Sequence, residues 1–249
     1  MNSPVTKPDA HLVLRHGSTS RAAAVTSVAR KLGWWVEDYA FAAYWQVRAL
    51  VWRKREGDYL SGELRPVLVI PGIWETWGFM RSLIDPVHAA GHPVYVLPSL
   101  RRNGRPVTDS AALVVDFVTE RSLREVLIVA HSKGGLIGKY AMAMLDDTRC
   151  ISTMVAVSTP FSGSRYAPYL LLSSLRAFSP RDPTTELLRA SLDVNARIVS
   201  VYGEFDPHIP EGSELPGARN IVLPTGGHFR VLARPETIAT VLEVAGAPD

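Results

Sequence analysis

The chain is poor in cysteine, since Cys150 is the single one among 249 residues. One cysteine forms no internal disulfide and no cysteine metal site, which is compatible with a reducing compartment. Long apolar runs are also missing. No run of 18 uncharged apolar residues occurs and no basic-then-apolar leader opens the sequence, so we expect neither a transmembrane helix nor a secretory signal. These absences favour a cytoplasmic protein and leave membrane association open.

Strong charge of either sign is lacking as well. The formal net charge is +3, and no block of lysine or arginine is long enough to indicate nucleic acid as the main partner. The sequence has no cluster with metal-ligand spacing and no glycine-rich phosphate loop, so we expect neither a metal nor a cofactor. With 47% hydrophobic and 20% charged residues, a chain of this length fits a single globular core.

Short apolar runs alternate with helical patterns after Gly57, which is typical of βαβ units around a parallel sheet. We predict six strands, near residues 66–70, 93–97, 125–130, 151–157, 197–202 and 219–223. Helices are predicted near 78–90, 109–122, 133–145 and 235–244. Residues 59–65 could add one edge strand.

The most specific motif lies between the third strand and its helix. The buried strand ends at Ala130, Ser132 follows in a tight turn, and Gly134 opens the helix. A serine at such a junction is a nucleophile elbow, which needs small residues two positions before and two positions after it because the two backbones approach closely. Ala130 and Gly134 are small enough. The alternative is a tight βα turn with an incidental serine.

The sequence Ala-His-Ser-Lys-Gly-Gly at 130–135, followed by an apolar helix bearing Tyr140, resembles the α/β-hydrolase family, particularly its small bacterial lipases and esterases. The resemblance covers about residues 60–249. It implies an α/β fold with a minimal, mostly parallel six-stranded sheet and helices on both faces. The family motif has glycine where this chain has Ala130, a departure that small lipases share. The resemblance also implies an acid and a histidine after later strands, in that order.

Two later loops match this requirement. Asp206 follows a buried strand in a Gly-Glu-Phe-Asp loop, with Glu204 as the alternative acid, and His228 follows two glycines after the last strand. Among the other histidines only His208 is a serious rival, but it precedes the final strand. The resemblance therefore implies a catalytic triad of Ser132, Asp206 and His228, in which the histidine transfers the proton and the aspartate orients it.

The family stabilises the developing negative charge of acyl transfer with two backbone N–H groups. The first strand ends in Pro71-Gly72, so the resemblance implies Ile73 as one donor, with Trp74 close behind, and Lys133 after the serine as the second. A Pro-Gly turn after a strand is also common without any such role.

Residues 161–196 form the longest insertion and could cap the site. Thr159-Pro160-Phe161 and the following residues resemble a stretch that lipase-like hydrolases carry here. We interpret the insertion as a lid or acyl pocket, against the alternative of an ordinary packing helix. The candidate substrate-binding residues are Trp74, Trp77, Phe161, Tyr169 and Leu172.

Residues 1–59 lie outside the resemblance and form a predicted N-terminal extension: a polar arm to residue 19, then a helix from about 20 to 55 with a break at Gly33. One helix face carries Val36, Tyr39, Ala43, Val47 and Leu50. A second face carries Trp34, Phe41, Trp45 and Trp52. We expect the first face to pack on the catalytic domain. The aromatic stripe could then lie against neighbouring segments, a second copy of the chain or a membrane surface.

Together the motifs predict a serine hydrolase that cleaves carboxylic esters with an apolar acyl group, acting on a small ester or lipid and not on nucleic acid. The same triad would serve a thioesterase or an amide hydrolase. A non-catalytic scaffold or membrane-surface protein on this fold is the alternative from another class.

Overall fold

The computed structural model describes residues 18–51, 54–169 and 178–247, with only the backbone described at 18–26 and 50. Its centre is a six-stranded sheet in the order β2-β1-β3-β4-β5-β6, with every neighbouring pair parallel. The strands are β1 (Val67–Ile70), β2 (Val94–Val96), β3 (Val126–His131), β4 (Ile151–Val157), β5 (Ile198–Phe205) and β6 (Arg219–Gly226). All six predicted strands are confirmed.

Alternate residues of the central strands enter two separate cores, because successive side chains in a strand point to opposite faces. Leu68 and Ile70 of β1 lie in one core, whereas Val67 and Val69 lie in the other. Such strands must be apolar at every position, which explains the continuous apolar runs of the sequence. The described helices are α1 (Ser18–Val51), α2 (Arg81–Ala89), α3 (Val107–Glu120), α4 (Lys133–Tyr140), α5 (Pro183–Ala190) and α6 (Pro235–Gly246).

Helices cover both faces of the sheet, as predicted. α3 and α4 bury Val114 and Leu136 in the first core. α2 and α6 bury Leu83 and Val241 in the second. α5 was not predicted as a separate element, although Asp182 accepts hydrogen bonds from Thr184 and Thr185 and caps it.

The N-terminal helix α1 differs from the prediction in two respects. It runs through Gly33 without a break, because a glycine costs a helix interior only about 1 kcal/mol and does not by itself end the helix. Its aromatic face packs on the domain: Phe41 and Trp45 lie half-buried against the second core, with the rings of Phe41 and Phe79 6.4 Å apart.

The face that was expected to pack is largely exposed, with Val36 58% and Val47 62% exposed, although Tyr39 on this face contacts His208. Trp52 lies outside the described residues. A contact of α1 with a membrane or a second copy stays a prediction, as do the domain boundary near residue 59 and the location in the cell. Among the described helices, none is both long and apolar enough to cross a membrane.

Residues 59–65 form no strand, contrary to the edge strand considered above. Tyr59 instead closes a short 3₁₀ turn, where its side chain is fully buried and its hydroxyl donates to Asp85. The segment thus packs through the Tyr59 ring and adds no strand to the sheet.

Candidate active site

Ser132 lies on a sharp turn at the carboxyl end of β3, and α4 begins at the next residue. Its backbone has φ 50° and ψ −118°, a conformation that side-chain-bearing residues rarely adopt. A Cβ on Gly134 would lie 2.2 Å from the carbonyl oxygen of Ile70, so only glycine fits there. The turn has the strain and the close approach that a nucleophile elbow requires.

The structure brings Ser132, His228 and Asp206 into one hydrogen-bonded line. The hydroxyl of Ser132 donates to Nε2 of His228 over 2.9 Å. The carboxylate of Asp206 accepts from Nδ1 of His228 over 2.7 Å, and since a carboxylate only accepts, the proton is assigned to Nδ1. Asp206 also accepts the backbone N–H groups of His208 and Ile209, which fixes its orientation. Ser132, Asp206 and His228 each follow the carboxyl end of a strand. They meet because the carboxyl ends of parallel strands lie at one edge of the sheet.

Burial and neighbouring charges shift the pKa values of Asp206 and His228 in opposite directions. Burial opposes ionisation of Asp206, but the charge and hydrogen bond of His228 outweigh it and keep the pKa of Asp206 below its ordinary value. Burial likewise opposes protonation of His228. The carboxylates of Asp206, Glu75 and Asp38 outweigh that burial and raise the pKa of His228. The site therefore favours the imidazolium that forms when His228 accepts a proton.

Glu204 and His208, the alternatives to Asp206 and His228, lie in different surroundings. Glu204 is exposed. His208 has its Nε2 3.1 Å from the hydroxyl of Tyr39, and its ring lies 4.9 Å from the ring of His228. Burial and the charge of His228 lower the pKa of His208 to about 4. At neutral pH His208 is therefore an uncharged wall residue beside the triad.

The backbone after β1 leaves one N–H group unused. Gly72 donates to Glu75 over 2.7 Å, and Trp74 donates to the carbonyl of Arg102 over 2.7 Å. Between them, Ile73 donates to no residue within the described parts of the chain. Lys133 opens α4, where the first N–H groups of a helix have no intrahelical partner. The N–H groups of both predicted oxyanion donors thus stay available, whereas the N–H group of Trp74 is occupied.

A second polar chain lies behind the triad. Glu75 accepts from Nδ1 of His131 over 2.8 Å, and Nε2 of His131 faces the carbonyl oxygen of His228 at 3.1 Å. Both ring nitrogens of His131 thus face oxygen atoms. Glu75 was not predicted from the sequence, where its only signal is an acidic residue three positions after Gly72.

No protein-family model and no curated protein matches this chain. Solved structures do match it. Aspergillus fumigatus lipase B aligns with a TM-score of 0.61 at 20% identity, over 77% of this chain and 55% of the lipase. The mature form of the Bacillus licheniformis lipase BlEst2 aligns with a TM-score of 0.58 at 13% identity, over 73% and 92% of the two chains. An α/β-hydrolase fold protein from Burkholderia ambifaria gives 0.51 at 17%, over 74% and 92%.

The chain has the α/β-hydrolase fold. In this fold a loop-lined cleft opens above the carboxyl ends of the strands, and here a cavity of about 540 Å³ lies over Ser132. Its wall is mostly apolar and aromatic. The lining residues are Ile73, Trp74, Glu75, Ser132, Pro160, Ser164, Tyr166, Ala167, Phe178, Pro207, His208, Ile209, His228 and Phe229.

Of the predicted substrate-binding residues that the structure describes, Trp74 alone lies in this wall. The ring of Trp77 packs edge-on against Tyr59 instead, 6.0 Å away, because the 3₁₀ turn that carries it faces the second core. Phe161 is buried in the first core, 4% exposed. Tyr169 is 85% exposed and absent from the wall. Leu172 lies outside the described residues.

Most residues of the cavity wall were not predicted from the sequence. Pro207, His208 and Ile209 directly follow Asp206, and Phe229 directly follows His228. Adjacency to the triad was therefore the available signal. Within the described parts of the chain, no group of three or more His, Cys, Asp or Glu side chains could hold a metal ion.

Proposed function

We propose that the protein hydrolyses carboxylic esters with an apolar acyl group through an acyl-enzyme on Ser132. The observation that carries this proposal is the line of hydrogen bonds from Ser132 through His228 to Asp206, at 2.9 and 2.7 Å, beneath an apolar cavity. Nucleophile, base and orienting acid within hydrogen-bonding reach are the geometric signature of a serine hydrolase.

In the acylation step, Oγ of Ser132 attacks the ester carbonyl carbon while Nε2 of His228 takes the hydroxyl proton of Ser132. The imidazolium then donates this proton to the departing alkoxide, which leaves as an alcohol. Asp206 stabilises the imidazolium and holds the proton on Nδ1 of the ring. Water, activated by the same histidine, hydrolyses the acyl-enzyme and releases the acid.

The negative charge on the carbonyl oxygen needs fixed donors during both steps. The N–H groups of Ile73 and Lys133 are the candidates, since the neighbours of Ile73, Gly72 and Trp74, already donate elsewhere and Lys133 is the first residue of α4. Loss of one such donor typically costs about 10²–10³ in rate.

The preference for an apolar acyl group rests on the cavity wall. Trp74, Tyr166, Phe178 and Phe229 contribute aromatic surface, and about 540 Å³ is within the range of small-molecule pockets. Two of the structural neighbours are named lipases, which agrees with such a substrate without identifying it.

The test is hydrolysis of p-nitrophenyl esters from acetate to palmitate by the wild type and by Ser132→Ala. We expect activity that depends on acyl length and falls at least 10³-fold in the variant. Fluorophosphonate labelling of Ser132 is measured in parallel. Labelling without ester turnover would direct the search to thioesters or amides, and absence of labelling would favour a non-catalytic protein on this fold.

A further inference from the structure

The helix α1, which lies outside the catalytic sheet, reaches the loop that carries His228. The ring of Trp34 lies where a Cβ on Gly226 would be, with the nearest ring atom 2.4 Å from that position. Asp38 lies one helical turn further on, and its Oδ1 would be 2.5 Å from a Cβ on Gly227. The two glycines before the histidine therefore leave room for α1 to approach.

Asp38 is fully buried, and its carboxylate accepts three consecutive backbone N–H groups of this loop. Oδ2 accepts from His228, and Oδ1 accepts from Phe229 and from Arg230, each over 2.8 Å. Hydrogen bonds to an ionised acceptor are about twice as strong as neutral ones. They also satisfy a carboxylate that would be costly to bury alone.

The carbonyl side of the His228 backbone faces a second side chain. His131, oriented by Glu75, faces the carbonyl oxygen of His228 at 3.1 Å. The N–H group of His228 is thus held by Asp38, and its carbonyl oxygen faces the ring of His131. Without Asp38, the loop after Gly226-Gly227 would lose the contacts that fix its N–H side, and glycine gives the backbone wide freedom.

We propose that Asp38 is a positioning residue of the active site: it fixes the loop so that Nε2 of His228 stays within reach of Ser132. The proposal rests on the serine hydrolase function proposed above. It makes α1 a part of the catalytic unit, since the helix supplies the carboxylate from 190 positions away in the sequence.

A role in folding alone would be the competing explanation, and Asp38→Asn separates the two. Asparagine keeps the size of aspartate but has one acceptor oxygen and no charge. At least one of the three N–H groups then loses its partner and the loop can shift. Since a displacement of about 1 Å at catalytic groups can cost about 10²-fold, we expect kcat and the rate of fluorophosphonate labelling to fall 10- to 100-fold, with KM within about twofold.

Glu37→Gln is the matched control. Glu37 precedes Asp38 on the same helix and pairs with Arg230 of the same loop, but its side chain is 60% exposed. We expect this variant to keep kcat and the labelling rate within about twofold, because an exposed ion pair contributes little.

The pH profile adds a readout that a purely structural role would not move. His228 is faced by Asp206 and His208 from the loop after β5, by Asp38 from α1, and by His131 with Glu75 behind it. Removing the charge of Asp38 removes one of the contributions that raise the pKa of His228. The acid limb of kcat/KM should therefore move to lower pH in Asp38→Asn and stay in place in Glu37→Gln.

The outcomes are distinct. If the wild type is not labelled at Ser132, the hydrolase function itself fails. If the wild type is labelled and folded Asp38→Asn keeps the labelling rate, kcat and acid limb, or if Glu37→Gln loses as much, the inference is overturned. Should Asp38→Asn not fold, amide hydrogen exchange of the wild type decides: slow exchange at residues 228–230 supports the clamp, and exchange at the rate of exposed loops overturns it.

Discussion

His228 is the residue at which the charges of the site meet. Burial alone would lower its pKa, whereas three carboxylates raise it, and the carboxylates prevail. Asp206 is the direct partner at 2.7 Å. Glu75 and Asp38 add their negative charges from further away. The site therefore stabilises the charge that His228 gains when it accepts a proton from Ser132.

The pH dependence follows from this balance. His228 acts as a base only when neutral. Because its pKa is raised, the ring becomes protonated as the pH falls through a value above 6.5. We expect kcat/KM to fall about tenfold per pH unit below a midpoint higher than 6.5, with Asp206 ionised throughout. His208 does not contribute, since its pKa of about 4 keeps it neutral in this range. A stopped assay across pH 5–9 measures the midpoint, and a value at or below 6.5 would mean that burial dominates.

The β3–turn–α4 element could be predicted from the sequence because its requirements are local. An apolar run, a serine and Gly134 lie within a few positions, and each has a steric or chemical reason to be there. Asp206 and His228 were instead predicted from the family resemblance, which implies an acid and a histidine in loops that follow later strands. Most of the cavity wall was not predicted, because it is assembled from separate loops. Trp77 packs on Tyr59 instead, and Tyr169 is exposed outside the wall.

A glycine-to-alanine substitution at the elbow tests the steric account, with a second one in α1 as its control. Gly134→Ala places a Cβ 2.2 Å from the carbonyl oxygen of Ile70, so the backbone must shift, and we expect a loss of about 1–3 kcal/mol in unfolding free energy together with a large loss of activity.

Gly33→Ala is the control in α1, where a Cβ meets nothing within 4 Å. Alanine there should raise the unfolding free energy by about 0.5–1 kcal/mol, because glycine is unfavourable in a helix interior. Urea unfolding measures both variants. A stable, active Gly134→Ala protein would contradict the close approach at Ser132.

At the scale of the whole molecule, α1 packs against the second core and against the loop that carries His228. Its two apolar stripes could not be distinguished in the sequence, since hydropathy does not tell which of two apolar faces is covered. The aromatic face covers the second core through Phe41 and Trp45, and this placement directs Asp38 to the loop of His228. Asp38 itself gave no sequence signal, because its three partners lie 190–192 positions away.

Substitutions on the two faces of α1 test which one holds the helix in place. Phe41→Ala removes a half-buried ring that contacts Phe79, so we expect a loss of about 2 kcal/mol in unfolding free energy, and activity should fall with it as Asp38 moves from its loop. Val47→Ala changes the opposite, 62% exposed face and should stay within about 0.5 kcal/mol with full activity. Urea unfolding and kcat are measured on both. A larger effect from Val47→Ala would mean that a partner covers the aliphatic face in solution, whereas a destabilised but fully active Phe41→Ala protein would separate the anchoring of α1 from catalysis.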